Sequence, residues 1–372
     1  MFCKKNLRNI ILKIVQPIFF TKNFIFLMKL NKILAATATV VLLMTFGCNK
    51  DNSLNQSEIN ISEDLQKDET LYLGKRNCSS AQQNQNLMAR DASFRENQQQ
   101  IEEFTARYIA ENKHLENRGV ITIPVVVHVV YKTAAENISD AMIQSQINVL
   151  NADFRELNAD RINIPNAFKG RAGDFELNFC LAKRTPNNTP TSGIERRLTN
   201  RDEFVDDDVK FNSTGGLNSW DATKYLNIWV CNLGYGYLGF AYYPGAPNDI
   251  DGVVCLYSAF GYNSPLVPYH LGRTATHEVG HWLNLRHVWG DDDCGNDLVG
   301  DTPTSETYNF GCPTFPHISC DNKPTGDMYM NFMDYVDDPC MIMFSNGQKG
   351  RAQATMRVAR RSLISSQGCT PL

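Results

Sequence analysis

The run His277-Glu278-Val279-Gly280-His281-Trp282-Leu283-Asn284-Leu285-Arg286-His287 brings imidazoles and a carboxylate to the spacing that a catalytic zinc requires. On a helix, His277 and His281 lie one turn apart on one face, so their rings can share a metal. Glu278 stands beside the first histidine and is placed to take a proton from a water at that metal. A straight helix would carry His287 away, so the chain must turn after His281. Asn284 is the residue for that turn, because Asn tolerates the left-handed backbone that ends helices. Three neutral nitrogen ligands leave a fourth tetrahedral position open, the pattern of a catalytic rather than a structural zinc site. An H-E-x-x-H run alone arises by chance fairly often; the third histidine at its offset makes chance a poor explanation.

These side chains need a scaffold, and the pattern along the chain predicts one. Ile121 to Tyr131 is β-branched and reads as a buried strand. Ser139 to Leu157 reads as a helix capped by Ser139, with Met142, Ile143, Ile147, Leu150 and Phe154 as its apolar stripe. Phe175 to Leu181 and Tyr225 to Cys231 are further strands. Thr274 to Leu285 is the helix that carries the histidines. Gly347 to Ile364 is a carboxy-terminal helix capped by Asn346 or Ser345. The expected fold is α/β (α+β), a mixed twisted sheet with one buried helix, filling residues 119–372 as a catalytic domain. Residues 49–118 are polar and read as a tether followed by a pro-segment. Within it, Phe94 to Asn112 has helical periodicity (Phe94, Ile101, Phe104, Tyr108) suited to packing on the domain.

The histidine run resembles that of the metzincin clan, H-E-x-x-H-x-x-G-x-x-H followed by a methionine-containing turn, with Asn284 where the clan usually has Gly. Asn331-Phe332-Met333-Asp334-Tyr335 looks like that turn. The segments PVVVHVVY, LNIWVCNLGYGYLGFAYYPG and DDPCMIMFSNGQ resemble the pappalysin family, in particular its compact bacterial and archaeal members; the likeness covers roughly 121–361. The resemblance implies a metzincin-like zincin. Met333 would be the apolar floor under the zinc, and Tyr335 would point its hydroxyl at the metal or the reacting carbonyl. It also implies disulfides Cys294–Cys320 and Cys312–Cys340. Lys75-Arg76-Asn77-Cys78 resembles the cysteine switch of latent metzincins, in which Cys78 would take the fourth zinc position; Lys75 and Arg76 would favour its thiolate. Members of this kind prefer Arg just after the cut bond. Asp337 or Asp338 lining that pocket would keep a basic preference here, whereas Pro339 at the deciding position would lose it. The acidic stretch Asp291 to Pro303 is rich in the oxygen ligands calcium takes, and the family binds calcium there; Asp297 and Asp301 are the side chains proposed for it. The alternative for this stretch is a solvated acidic loop, which is also the reading of Asp206-Asp207-Asp208.

The net charge of −4 on 372 residues makes nucleic acid a poor partner. Met28 to Lys32 is a basic stretch, Ile33 to Phe46 an apolar one of signal-peptide length, and Gly47-Cys48 a lipoprotein-type cleavage site. Residues 28–48 are thus read as a signal peptide that ends at a lipid-anchored Cys48, the alternative being an ordinary signal peptide cut nearby. Residues 1–27 read as a doubtful leader, from an over-extended start. The 11 cysteines suit an exported, disulfide-bonded chain; Cys180, Cys231, Cys255 and Cys369 are left open between bridges and buried thiols. The reading is an exported, monomeric zinc endopeptidase acting on protein or peptide substrates, with calcium as a second ion. A surface binding module that kept the fold and lost activity is the competing class, and the intact Glu278 argues against it.

Overall fold

The computed structural model describes residues 75–112 and 119–372; the leader, the signal segment, Cys48, the tether and residues 113–118 lie outside them. Two helices open the described chain, α1 (Ser80–Arg90) and α2 (Ala92–Glu111). Strand β1 (Ile121–Tyr131) follows, and residues 123–130 of it are buried without a break. A strand hidden on both faces belongs in the middle of a covered sheet. It sits there: β2 (Leu177–Leu181) and β3 (Ile194–Leu198) pair in parallel with its first and second halves, and β4 (Leu226–Cys231) pairs with it in parallel along the other edge. Beyond β4 come β6 (Val253–Leu256), parallel, and β5 (Gly239–Ala241), antiparallel, which forms the edge beside the histidine run.

Between β1 and β2 lies helix α3 (Asp140–Asp153), and the Ser139 hydroxyl accepts from Met142 N as a cap. Its end delivers Phe154 into an aromatic cluster with Phe175, Phe179 and Phe344, ring centroids 4.8 to 5.4 Å apart. Helix α4 (Arg273–Trp282) carries the histidines and is buried at every position. It ends before the expected Leu285, because Asn284 has φ 72° and Leu285 N turns back to Gly280 O at 3.0 Å. Helix α5 (Asn346–Arg357) begins with a capping box of Ser345 and Gln348. It too stops short of the expected Ile364. Arg360 turns inward to pair with Asp251 and to donate to Trp282 O at 2.9 Å, with its guanidinium 3.6 Å from the Trp282 ring, which a continuing helix would not allow.

Both expected disulfides are present, and Cys180–Cys369 ties the carboxy-terminal tail to β2. Cys231 and Cys255 are buried free thiols. The 294–320 and 312–340 bridges close loops that the chain-entropy account rates at about 3.5 kcal/mol each. They pin the irregular stretch between α4 and α5, where regular secondary structure is scarce. Asp206–Asp208 is not a merely solvated loop: Asp207 accepts from Tyr242 Oη at 2.8 Å and pairs with the buried Lys210 at 3.0 Å. Among the described residues, no helix is long and apolar enough to cross a membrane.

Candidate metal centre

One turn of α4 and the bend after it bring the three imidazoles together. Their Nε2 atoms lie 3.1 to 3.2 Å from one another. Nitrogens on a tetrahedral zinc at the usual bond length stand about 3.3 Å apart, so this triangle fits zinc. The other ring nitrogens settle the tautomer. His277 Nδ1 donates to Phe332 O at 2.7 Å, His281 Nδ1 to Leu285 O at 2.9 Å, and His287 Nδ1 to Asp291 Oδ1 at 2.5 Å. With every Nδ1 carrying its proton, the Nε2 lone pairs face one point. Burial holds His277 well below the usual imidazole range and His281 at about 3, so both stay neutral.

Met333 is fully buried. A Cβ at Gly280 would stand 2.4 Å from its Sδ, so the methionine turn can close on α4 only because position 280 is glycine. Asn331 anchors the turn: its Oδ1 accepts from Met333 N, and its amide exchanges hydrogen bonds with the Gln348 amide of the α5 cap.

Glu278 is buried, and desolvation pushes its carboxyl up to about 7. Its Oε2 accepts from Ser80 Oγ at 2.8 Å and lies 3.4 Å from Cys78 Sγ. Gly239 on β5 makes room for it, since a Cβ there would stand 2.8 Å from Glu278 Cγ. Cys78 Sγ joins the histidines: one donor atom from each of Cys78, His277, His281 and His287 falls within 4.8 Å of the others. Tyr335 Oη donates to Cys78 O at 3.1 Å, so the hydroxyl addresses a backbone carbonyl at the centre. The segment carrying Cys78 lies along the β5 edge, with Leu238 N donating to Asn77 O at 2.8 Å and Ser79 N to Gly239 O at 3.2 Å.

The expectation that Lys75 and Arg76 activate the thiol is corrected. Arg76 turns away into a closed pocket, where it pairs with Asp338 at 2.5 Å and donates to Thr274 Oγ1 and Val336 O. Lys75 stands over the Phe310 ring. Burial and the neighbouring Glu278 push the metal-free thiol well above its ordinary range. Asp338 is fully buried and also accepts from Leu271 N at 2.7 Å and Arg273 N at 3.3 Å, whereas Asp337 is half-buried and feels the Arg76 charge without a hydrogen bond to it. Asp297 and Asp301 are turned to separate tasks. Asp297 accepts from Val299 N and Thr302 Oγ1; Asp301 accepts from Ser345 Oγ and Gly347 N at the start of α5. Sequence reasoning missed Asp291 as the partner of His287, Ser80 as the partner of Glu278, and the packing roles of Gly239 and Gly280. Of these, only Asp291 left a readable signal, an acid placed just after the third histidine.

The family model Peptidase_M43, described as pregnancy-associated plasma protein-A, matches residues 210–357. An extracellular metalloprotease of Colletotrichum graminicola is 39% identical over 145 residues, 37% of this chain and 51% of the relative, so the match spans about half of that protein. Mature mirolysin of Tannerella forsythia, solved with a cleaved peptide, is 49% identical, covers 66% of this chain and 96% of its own, and superposes with a TM-score of 0.65. A variant of its precursor, promirolysin, is 44% identical, covers 78% of this chain and 97% of its own, and reaches 0.71. The precursor thus matches more of this chain than the mature form does. With this metal-binding cluster on this fold, the chain belongs to the pappalysin family of metzincin metalloproteases.

Proposed function

We propose that the protein is an exported zinc endopeptidase made as a latent precursor, in which residues 49–118 include the inhibitory segment and 119–372 form the catalytic part. The observation that carries this reading is the convergence of three imidazole lone pairs and one thiol beside a buried glutamate. His277, His281 and His287 would hold the zinc, joined by Cys78 in the precursor. Bound zinc would supply a Lewis acid that acidifies water and polarises a carbonyl. Glu278 holds the proton taken from the attacking water at its Oε2 and passes it to the leaving amine. Ser80 Oγ and Cys78 Sγ now cover that oxygen and would have to leave first. Tyr335 Oη, now donating to Cys78 O, would donate to the substrate carbonyl instead. The β5 edge would take the substrate backbone as it now takes Asn77 and Ser79.

Asp338 gives the site a preference. The Arg76 guanidinium in its pocket stands in for a basic substrate side chain, which favours Arg or Lys just after the cut. An enzyme of that preference would free itself by cutting before a basic residue. Candidate sites are Arg90, Arg95, Arg107 and Arg118. Export rests on the signal-type segment 28–48, with lipidation at Cys48, and fits the extracellular character of the fungal relative. Calcium is proposed in the acidic stretch Asp291 to Pro303, with Asp297 and Asp301 as its side-chain ligands.

The test is a peptide library offered to the matured protein with and without a zinc chelator. Cuts before Arg and Lys, abolished by the chelator and by Glu278→Ala with zinc retained, are expected. Turnover by fully metallated Glu278→Ala would remove Glu278 from its role. Absence of any cut by the metallated wild type would favour the binding-module reading.

A further inference from the structure

Glu102 of α2 meets a cluster of donors that belongs to the catalytic part. Arg351 Nη2 donates to Glu102 Oε1 at 2.7 Å, Asn284 Nδ2 to the same oxygen at 3.1 Å, and Arg286 Nη2 lies 4.0 Å from it. With α2 in place Arg351 is only 3% exposed, and its other acceptor is Asn284 O, a neutral carbonyl. Two acids on the catalytic side feel these charges, Asp291 that of Arg286 and Asp297 that of Arg351, but their hydrogen bonds go elsewhere, Asp291 to His287 and Asp297 to Val299 N and Thr302. Glu102 is therefore the carboxylate that answers this guanidinium, and it sits on the segment that leaves if the precursor matures as proposed above. A guanidinium that loses its carboxylate retains a preference for another.

The place of the cluster says what could supply it. Arg286 stands 5.9 Å from the Tyr243 ring, and Tyr243 stands edge-on to His281 at 5.9 Å, so the cluster borders the metal centre. The precursor chain runs from the Asp338 pocket at Arg76, past the metal centre at Cys78, to α1 and α2 beyond the end of β5, where Asn97 donates to Gly245 O. The cluster thus lies across the metal centre from the pocket assigned to the residue after the cut. We infer that the mature enzyme has a carboxylate-binding site here, formed by Arg286, Arg351 and Asn284, which takes an acidic side chain of the substrate upstream of the cut bond. Glu102 fills it in the precursor as Arg76 fills the Asp338 pocket, so each side of the inhibitory segment copies a substrate contact. This inference rests on the proteolytic reading.

Matured enzyme offered peptides with Arg after the cut tests it. A neutral parent peptide reads proteolysis itself; its derivatives carry Glu or Gln at successive upstream positions. At one position Glu should raise kcat/KM about tenfold over Gln, chiefly through KM, and added salt should erode the gain. Arg286→Gln should reduce the Glu-over-Gln ratio, read against the parent peptide's rate with the same variant. Arg351→Lys, which keeps the charge and loses the fork, should reduce it too. Cleavage of the parent with no position at which Glu outperforms Gln overturns the inference. A gain that survives both variants does so as well. A parent peptide left uncut by the metallated enzyme would instead refute the proteolytic reading beneath it.

Discussion

The three imidazoles and the thiol meet at one point but are held in opposite ways. Each imidazole is fixed from behind: Phe332 O, Leu285 O and Asp291 each hold an Nδ1–H, and the first two are backbone atoms of the packed core. Cys78 is fixed from the side, by a segment laid on the β5 edge and anchored by Arg76 in one pocket and Glu102 in another. On the proposed reading, the permanent ligands are part of the core, whereas the fourth belongs to a strap with ionic anchors in pockets that would face the substrate. On that reading, one cut would remove the strap and leave the three imidazoles in place.

Breaking the permanent side should do the most damage. His281→Ala is expected to lose the metal and all measurable proteolysis, which metal analysis and a peptide assay would show together. Asp291→Asn keeps every ligand but weakens the support of His287; metal affinity should fall about 10- to 100-fold, as read by competition with a chelator, while the fold persists. Unchanged affinity would mean that Asp291 is incidental.

Breaking the strap should change timing and selectivity rather than metal content. Asp338→Asn should lower kcat/KM for peptides with Arg after the cut by about tenfold relative to neutral ones. It should also loosen the precursor by removing the partner of Arg76. Cys78→Ala should shorten the lag of self-activation several-fold; a mutant precursor as silent as wild type over the same time course would assign latency to the pocket anchors alone.

The smallest effect concerns the acidic loop. Asp297 is pushed up to about 7 by burial, above the unfolded carboxyl range. Its stabilising contribution is full below about pH 4 and is lost as pH rises towards 7. In chelator, wild type should therefore lose stability relative to Asp297→Asn across that window, on the order of 2 kcal/mol. Calcium should restore it. Melting curves with identical pH profiles in calcium and in chelator would dismiss the ion.

The same contrast explains what the sequence revealed. His277, Glu278, His281 and the bend at Asn284 were legible because helical spacing and one backbone conformation fix them within a short run. The strand at Ile121–Tyr131 and the Ser139 cap were legible for the same local reason. Arg76 was misassigned because its partner lies 262 positions away, and only the folded sheet edge brings them together. The ends of α4 and α5 were overestimated where a tertiary contact, Leu285 N on Gly280 O or Arg360 on Asp251, outweighed helical periodicity. Gly280 and Gly239 gave no signal, since their role is the absence of a side chain against Met333 and Glu278.

X-ray absorption at the zinc edge, recorded on the precursor and on the matured protein, tests the central claim most directly. The account predicts three nitrogens and one sulfur at about 2.3 Å in the precursor, with the sulfur replaced by oxygen after maturation. A precursor with only nitrogen and oxygen around the metal, or a matured protein that keeps the sulfur, would contradict it.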